Sequence, residues 1–83
     1  MKVLILGVTG MLGHTLFKEM SRNNAFHIYG TTRNLNGLNS YFSIEEVSRI
    51  FGGVDADNFD SIISVISSVR PNIIINCIGI IKQ

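Results

Sequence analysis

Three glycines spaced three residues apart could hold the phosphate groups of a nucleotide. Gly7, Gly10 and Gly13 form a G-x-x-G-x-x-G pattern directly after the apolar run 2–6 and at the start of a helical pattern. A strand, a glycine-rich turn and a helix expose N–H groups at a helix N-terminus, where the helix dipole also favours an anion. Gly7 allows a sharp turn, Gly10 leaves room for a pyrophosphate, and Gly13 allows close packing of helix and sheet. The pattern predicts a dinucleotide-binding loop, the alternative being a tight strand-to-helix turn without a ligand.

The end of the second predicted strand carries the residues that would select between NAD and NADP. An acid at this place bonds the ribose 2′-hydroxyl of NAD, whereas an arginine accommodates the 2′-phosphate of NADP. No carboxylate occurs between Glu19 and Glu45, and Thr31-Thr32-Arg33 stands at the expected place. Arg33 could pair with a phosphate in a bidentate manner, and the hydroxyls of Thr31 and Thr32 could donate to it. We therefore expect NADP (NADPH) rather than NAD, the alternative being that Arg33 is an ordinary solvated loop residue.

Two further places could contact such a cofactor. Asp55 ends a predicted strand and could accept a hydrogen bond from the adenine amino group, or else it caps the next helix. Residues 77–79 follow the last predicted strand, and Gly79 would leave room for the ribose or nicotinamide. Cys77 itself is interpreted as a small buried apolar residue. His14 and His27 lack metal-ligand spacing with cysteine or acids, so no metal site is predicted, and His14 is assigned a structural role.

The elements that must position these residues alternate between strands and helices. We predict strands at 2–6, 25–32, 54–55 and 72–78, the last too apolar to be exposed on either face. The first helix is expected to carry Leu12, Leu16, Phe17 and Met20 on one side. The second is expected to begin with a capping box at Ser43, to bury Ile44, Val47, Ile50 and Phe51, and to end at Gly52-Gly53. The third is expected to be capped by Asp57 or Asn58, to carry Phe59, Ile62, Ile63, Ile66 and Val69 at helical spacing, and to end before Pro71.

The order β-α-β-α-β-α-β predicts an α/β fold, a Rossmann-like doubly wound parallel sheet with strand order 3-2-1-4. Ligands of such sheets bind at the carboxyl ends of the strands, where the strand order reverses. That rule would bring residues 7–13, 31–33, Asp55 and 77–79 to one crevice.

The composition argues against several other classes of protein. The 83 residues make at most one small domain, and 46% hydrophobic with 16% charged residues is a globular composition. A net charge of +1 gives no reason to expect nucleic acid or an anionic membrane as a partner. No apolar run approaches the roughly 20 residues of a membrane span. Cys77 is the only cysteine, which excludes an internal disulfide and makes a cytoplasmic location the simplest expectation.

Taken together, these residues resemble the extended short-chain dehydrogenase/reductase family, in its sugar-nucleotide branch and nearest to the dTDP-4-dehydrorhamnose reductase-like proteins. The resemblance is carried by Gly7-Val8-Thr9-Gly10-Met11-Leu12-Gly13-His14, by Thr31-Thr32-Arg33, and by the stretch from Arg70-Pro71-Asn72 to Asn76-Cys77-Ile78-Gly79-Ile80-Ile81-Lys82-Gln83. It implies that the glycine loop, including Thr9 and the backbone near Met11 and Leu12, holds the pyrophosphate. It also implies that Arg33 holds the 2′-phosphate, that Asp55 faces adenine, and that Cys77, Ile78 and Gly79 line the nicotinamide ribose.

The family transfers a hydride to a sugar ketone with a Tyr-x-x-x-Lys pair, which this sequence lacks. Four residues after Tyr29 stands Arg33, and four after Tyr41 stands Glu45. The resemblance therefore implies that residues 1–83 are the N-terminal portion of a Rossmann domain of a longer reductase, without catalytic and substrate parts and inactive alone. Its nucleotide-sugar substrate would bind the full-length protein. An epimerase or dehydratase fragment and a non-catalytic NADP-binding sensor are the alternatives.

The last predicted strand would form one edge of the sheet in residues 1–83. Its run from 73 to 81 is flat, uncharged and apolar, and such edges pair readily with other strands. We therefore expect this chain to self-associate through that edge.

Overall fold

The computed structural model describes residues 1–78 and contains a four-stranded, all-parallel sheet with the order β3-β2-β1-β4. The elements in chain order are β1 (Lys2–Leu6), α1 (Met11–Ser21), β2 (His27–Thr31), a 3-10 turn (Leu38–Ser40), α2 (Ile44–Val47), β3 (Ile50–Phe51), α3 (Phe59–Val69) and β4 (Ile73–Asn76). This arrangement confirms the predicted doubly wound sheet and its strand order.

The central strand β1 pairs with β2 on one side and with β4 on the other, and its side chains belong to two separate hydrophobic cores. Val3 and Ile5 pack on one face of the sheet with Phe17 of α1. Leu4 and Leu6 pack on the opposite face with Val65 and Val69 of α3, together with Val54. Successive side chains of a strand point to opposite faces, so an apolar run of five residues is what a strand covered by helices on both faces requires.

The third strand lies at Ile50–Phe51, and its predicted position at residues 54–55 is wrong. Ile50 and Phe51 pair with Gly30 and Thr31 of β2, so both residues leave the helical pattern to which their spacing assigned them. The predicted capping box at Ser43 is confirmed, but α2 has only four residues. Gly52-Gly53 therefore follow a strand rather than end a helix.

Several large apolar side chains of the helices lie on the surface. Ile44 was expected to be buried but is 89% exposed, and Leu12 in α1 and Phe59 in α3 are exposed as well. Strand β4 is shorter than predicted, and its Ile73 and Ile74 are 42% and 44% exposed. Within residues 1–78, β4 pairs only with β1, so its outer edge and part of both faces lack a covering element.

Helix α3 begins and ends with identifiable caps. The Asn58 side chain accepts a hydrogen bond from the Ser61 N–H at 3.3 Å, which selects Asn58 over Asp57 as the N-cap. At the other end Arg70 has a left-handed conformation with φ 54°, and Pro71 prevents continuation. No helix within residues 1–78 is long and apolar enough to cross a membrane.

Candidate functional site

The carboxyl ends of the strands bring several of the predicted site residues close to one another. The Gly7 N–H donates to Thr31 Oγ1 at 3.0 Å, and the Val8 N–H donates to the Thr31 carbonyl oxygen at 2.9 Å. On the other side of β1, the Cys77 N–H donates to the Leu6 carbonyl oxygen at 2.8 Å. The glycine loop therefore sits between the ends of β2 and β4, at the point where the strand order reverses.

The backbone geometry of the loop requires glycine at two positions. Gly7 has φ +84°, a left-handed conformation that side chains rarely adopt. A side chain at Gly13 would overlap the carbonyl oxygen of Gly7, so α1 could not approach β1 as it does. A side chain at Gly10 would instead meet no protein atom within 4 Å, which leaves open space in front of the helix.

That open space faces the first turn of α1. Gly10 is the N-cap of α1, and no side chain of the described residues caps the helix. The first N–H groups of a helix lack intrahelical acceptors, so the backbone of Met11 and Leu12 offers donors there. The loop thus combines space, donors and the positive end of a helix dipole, which fits a pyrophosphate.

The two threonines at the end of β2 face the interior rather than the crevice. Thr31 is 1% exposed and its hydroxyl accepts from the Gly7 N–H. Thr32 is 4% exposed and its hydroxyl bonds the backbone of Asn34. In this arrangement both hydroxyls hold the loops in place, and Arg33 is the exposed side chain of the three.

Arg33 and Asp55, which sequence reasoning assigned to different parts of a cofactor, face each other. Arg33 Nε lies 3.6 Å from Asp55 Oδ2, with side chains 80% and 38% exposed. Asp55 Oδ1 also accepts from the Asp57 N–H at 2.9 Å. Asp55 does not cap α3 with its side chain, a role that Asn58 takes.

The stretch after β4 lies beside the glycine loop. A side chain at Gly7 would contact Ile78, so Ile78 and Gly7 are close neighbours. Cys77 packs partly buried against the core on the α1 side, as expected for a small apolar residue. This burial raises the pKa of the Cys77 thiol, which keeps it protonated at neutral pH. Gly79 lies outside the described residues.

A cavity of about 490 Å³ opens beside the glycine loop, between α1 and the connection from β2 to α2. We call it the α1 pocket. Its lining residues are Thr9, Gly10, Met11, His14, Thr15, Asn36, Gly37, Leu38, Tyr41 and Phe42. Only Thr9, Gly10 and Met11 among them were predicted as site residues. Residues 36–42 reach the loop only because the connection folds back over α1, which the sequence does not indicate. Among the described residues, no group of three His, Cys, Asp or Glu side chains could hold a metal ion.

A parallel sheet of order 3-2-1-4 with a glycine-rich loop at its switch point defines a Rossmann-like dinucleotide-binding fold. The model of the NAD dependent epimerase/dehydratase family matches residues 3–83. The chain belongs to this family, whose members bind NAD(P). No curated protein and no solved structure gives a significant match.

Proposed function

We propose that this chain is the NADP-binding part of a sugar-nucleotide reductase. The parent enzyme would transfer a hydride from NADPH to a nucleotide-linked 4-keto sugar such as dTDP-4-dehydrorhamnose. The exposed Arg33 at the carboxyl end of β2 carries the proposal, because it stands where the ribose of a bound dinucleotide would lie. Family membership and the resemblance of the sequences 7–14, 31–33 and 70–83 to dTDP-4-dehydrorhamnose reductase-like proteins support the reductase assignment.

The surroundings of Arg33 favour a phosphate over a ribose hydroxyl. The sequence from 20 to 44 contains no carboxylate that could accept from a 2′-hydroxyl. The nearest acid is Asp55, at 3.6 Å in an exposed pair. Exposed pairs of this kind contribute about 0–1 kcal/mol, so a phosphate dianion can replace Asp55 as the partner of Arg33.

The other predicted site residues would contact the remaining parts of the cofactor. The N–H groups of Met11 and Leu12 would bind the pyrophosphate, with Gly10 providing the room. Asp55, once released from Arg33, would accept from the adenine amino group. Cys77, Ile78 and Gly79 would line the nicotinamide ribose.

The experiment is a calorimetric titration of the chain with NADPH and with NADH, repeated on Arg33→Ala. We expect NADPH to bind more tightly than NADH. Loss of Arg33 should weaken NADPH binding by about 10- to 150-fold, because a charge-assisted hydrogen bond contributes about 1.5–3 kcal/mol, while NADH binding should change little.

Arg22→Ala is the matched control. Arg22 is also exposed, pairs with Glu19 at 3.6 Å, and lies at the far end of α1. It should leave both affinities unchanged. Equal binding of NADPH and NADH by the unaltered chain would contradict the NADP assignment, and binding of neither would contradict the function as a whole.

The family match favours a second candidate, an epimerase or dehydratase on the same fold. Such an enzyme returns the hydride to its substrate and therefore starts from the oxidised cofactor, whereas a reductase consumes the reduced one. Adding NAD⁺ and NADP⁺ to the titrations separates the two candidates. Tighter binding of NAD⁺ than of NADPH would favour the epimerase or dehydratase.

A further inference from the structure

The connection from β2 to α2 contains the dipeptide Asn36-Gly37, and Asn36 is the one asparagine of the sequence that is followed by glycine. Both residues are exposed. Gly37 has φ +78°, and a side chain there would meet no atom of the described residues within 4 Å beyond its chain neighbours. The amide nitrogen after an asparagine can attack the side-chain carbonyl carbon, and glycine, which has no Cβ, hinders this attack least. The dipeptide therefore has the residue types and the space that deamidation requires.

The two groups that would react make no hydrogen bond within residues 1–78. They are the carboxamide of Asn36 and the N–H of Gly37. The Asn36 N–H, which takes no part in the reaction, donates to Asn34 Oδ1 at 2.9 Å. Asn39 differs, because the N–H that follows it, that of Ser40, donates to the Gly37 carbonyl oxygen at 3.1 Å. The hydrogen bonding thus leaves the reacting groups free at Asn36 and restrains them at Asn39.

Deamidation of Asn36 would add a carboxylate to the α1 pocket. Asn36 lines this pocket together with Thr9, Gly10 and Met11 of the glycine loop, and no Asp or Glu of the described chain does so. Asn36 also follows Arg33 by three residues, so their Cα atoms are at most about 11 Å apart. That separation is close to the Debye length of about 10 Å at 0.1 M salt. A charge at residue 36 can therefore act on an anion bound at Arg33 or at the glycine loop.

We propose that Asn36 deamidates spontaneously and that the carboxylate so formed weakens the binding of NADPH more than that of NADH. The Gly37 nitrogen bonds to Asn36 Cγ, while the Cγ–Nδ2 bond breaks and ammonia leaves with the proton that Gly37 gives up. Water then opens the resulting succinimide ring at either carbonyl, which yields aspartate or isoaspartate and releases a proton. Nothing is oxidised or reduced, and water is the only co-reactant.

The effect on cofactor binding rests on the proposed NADP function, whereas the deamidation itself does not. Both cofactors would bring a pyrophosphate to the glycine loop, but only NADPH also brings a phosphate monoester, which is nearly dianionic at neutral pH, to Arg33. In water, a unit charge about 10 Å from a dianion lowers affinity about threefold at 10 mM salt. This repulsion is screened at high salt.

The first test is incubation of the chain in mildly alkaline buffer, followed by proteolysis and mass spectrometry. Replacement of an amide by an acid adds one mass unit, and fragment ions assign it to a residue. We expect the gain at Asn36 before any gain at Asn34 or Asn39, which belong to the same connection. Asn36→Gln should remove it, because the longer side chain closes a ring much more slowly. A residue 36 that stays unchanged, or that changes no sooner than Asn39, would overturn the proposal.

The second test measures the affinity for NADPH and NADH by calorimetry on Asn36→Asp, with Asn39→Asp as the matched control. Asn39 is exposed in the same connection but does not line the α1 pocket. Asn36→Asp should bind NADPH about threefold more weakly than the unaltered chain at 10 mM salt, with a smaller loss for NADH, and both losses should fade at 1 M salt. Asn39→Asp should change both affinities less. The incubated chain should resemble Asn36→Asp, and incubated Asn36→Gln should keep its affinity.

The outcomes separate this inference from the function on which it partly rests. If residue 36 deamidates but the preference for NADPH over NADH does not fall, the effect on binding is overturned and the NADP assignment stands. If the fresh, unaltered chain binds neither cofactor, the proposed function and the effect on binding both fail. The mass spectra decide the deamidation in either case.

Discussion

At the scale of single residues, Gly13 is the glycine of the described chain with the least room for a side chain. Any Cβ there would overlap the carbonyl oxygen of Gly7, which is backbone and cannot turn away. We expect Gly13→Ala to push α1 off β1 and to lower the free energy of unfolding by about 2 kcal/mol or more. Urea denaturation followed by circular dichroism measures the change.

Gly10→Ala is the control for this substitution. A Cβ at residue 10 meets no protein atom, and the backbone there, with φ −76°, suits alanine. The free energy of unfolding should stay within about 0.5 kcal/mol of the unaltered chain, since surface substitutions away from special features usually do. Cofactor affinity should fall, because the methyl group occupies the space in front of α1. Equal stability of the two variants would show that Gly13 is not needed for packing.

Residue types alone indicated only part of the site. Glycines at the right spacing and an arginine at the end of β2 could be identified, because each does something that other residue types cannot. The orientation of Thr31 and Thr32 could not be predicted, since it depends on the loop after β1, which places the Gly7 N–H against Thr31 Oγ1. The contact of His14 with Phe42 could not be predicted either, because Phe42 reaches His14 only through the course of the connection from β2 to α2.

At the scale of elements, Glu46 joins the short helix α2 to α1. Glu46 Oε1 accepts from the Ser43 N–H at 2.8 Å, completing the capping box, and from Lys18 Nζ at 2.7 Å. Burial by itself would raise the pKa of Glu46. The hydrogen bonds from Lys18 and Ser43, with the charge of Lys18, outweigh it and hold the pKa below its ordinary value of 4.5.

This direction of shift predicts how stability changes with pH. A carboxyl group whose pKa is lower in the folded state stabilises the fold above its unfolded pKa, and this contribution is lost as the pH falls through the folded pKa. Glu46→Gln should therefore be less stable than the unaltered chain at pH 7, by about 0.5–1 kcal/mol. The difference should shrink below about pH 4.5. Urea denaturation at pH 7 and pH 3 checks this, and a difference that grows in acid would contradict it.

The order of the elements was predictable and the position of β3 was not. Right-handed crossovers and the single reversal of a doubly wound sheet leave few alternatives, so the strand order followed from the element types. Ile44, Val47, Ile50 and Phe51 fit one helical face by spacing. The helix nevertheless ends after four residues, because pairing of Ile50 and Phe51 with β2 satisfies their backbone groups within the sheet.

At the scale of the whole molecule, the outer edge of β4 is the surface that we expect to control association. Residues 72–78 carry no charge, and Ile73 and Ile74 are partly exposed on opposite faces of the sheet. An edge without charged residues lacks the usual protection against pairing. We expect a second copy of this chain to pair there, so that sedimentation velocity at micromolar concentration shows a dimer.

Ile74→Lys would place a charge beside this edge and should return the chain to a monomer. Ile63→Lys is the matched control, since Ile63 is exposed to a similar extent but lies on α3. It should leave the dimer intact. Dissociation by Ile63→Lys alone would assign the contact to α3 instead, and a monomeric unaltered chain would contradict association altogether.

Strand β1 is paired on both edges and covered on both faces, whereas β3 consists of only two residues at the far edge. Local opening reaches such a central strand last, so its amide hydrogens should exchange with solvent most slowly. The glycine loop leaves β1 directly, while Arg33 follows β2 and Asp55 follows β3. The part of the site that would bind the pyrophosphate is thus anchored in the slowest-exchanging strand, and the part that would distinguish the two cofactors is anchored in the outer strands. A dinucleotide bound across both parts would slow amide exchange most in β2 and β3.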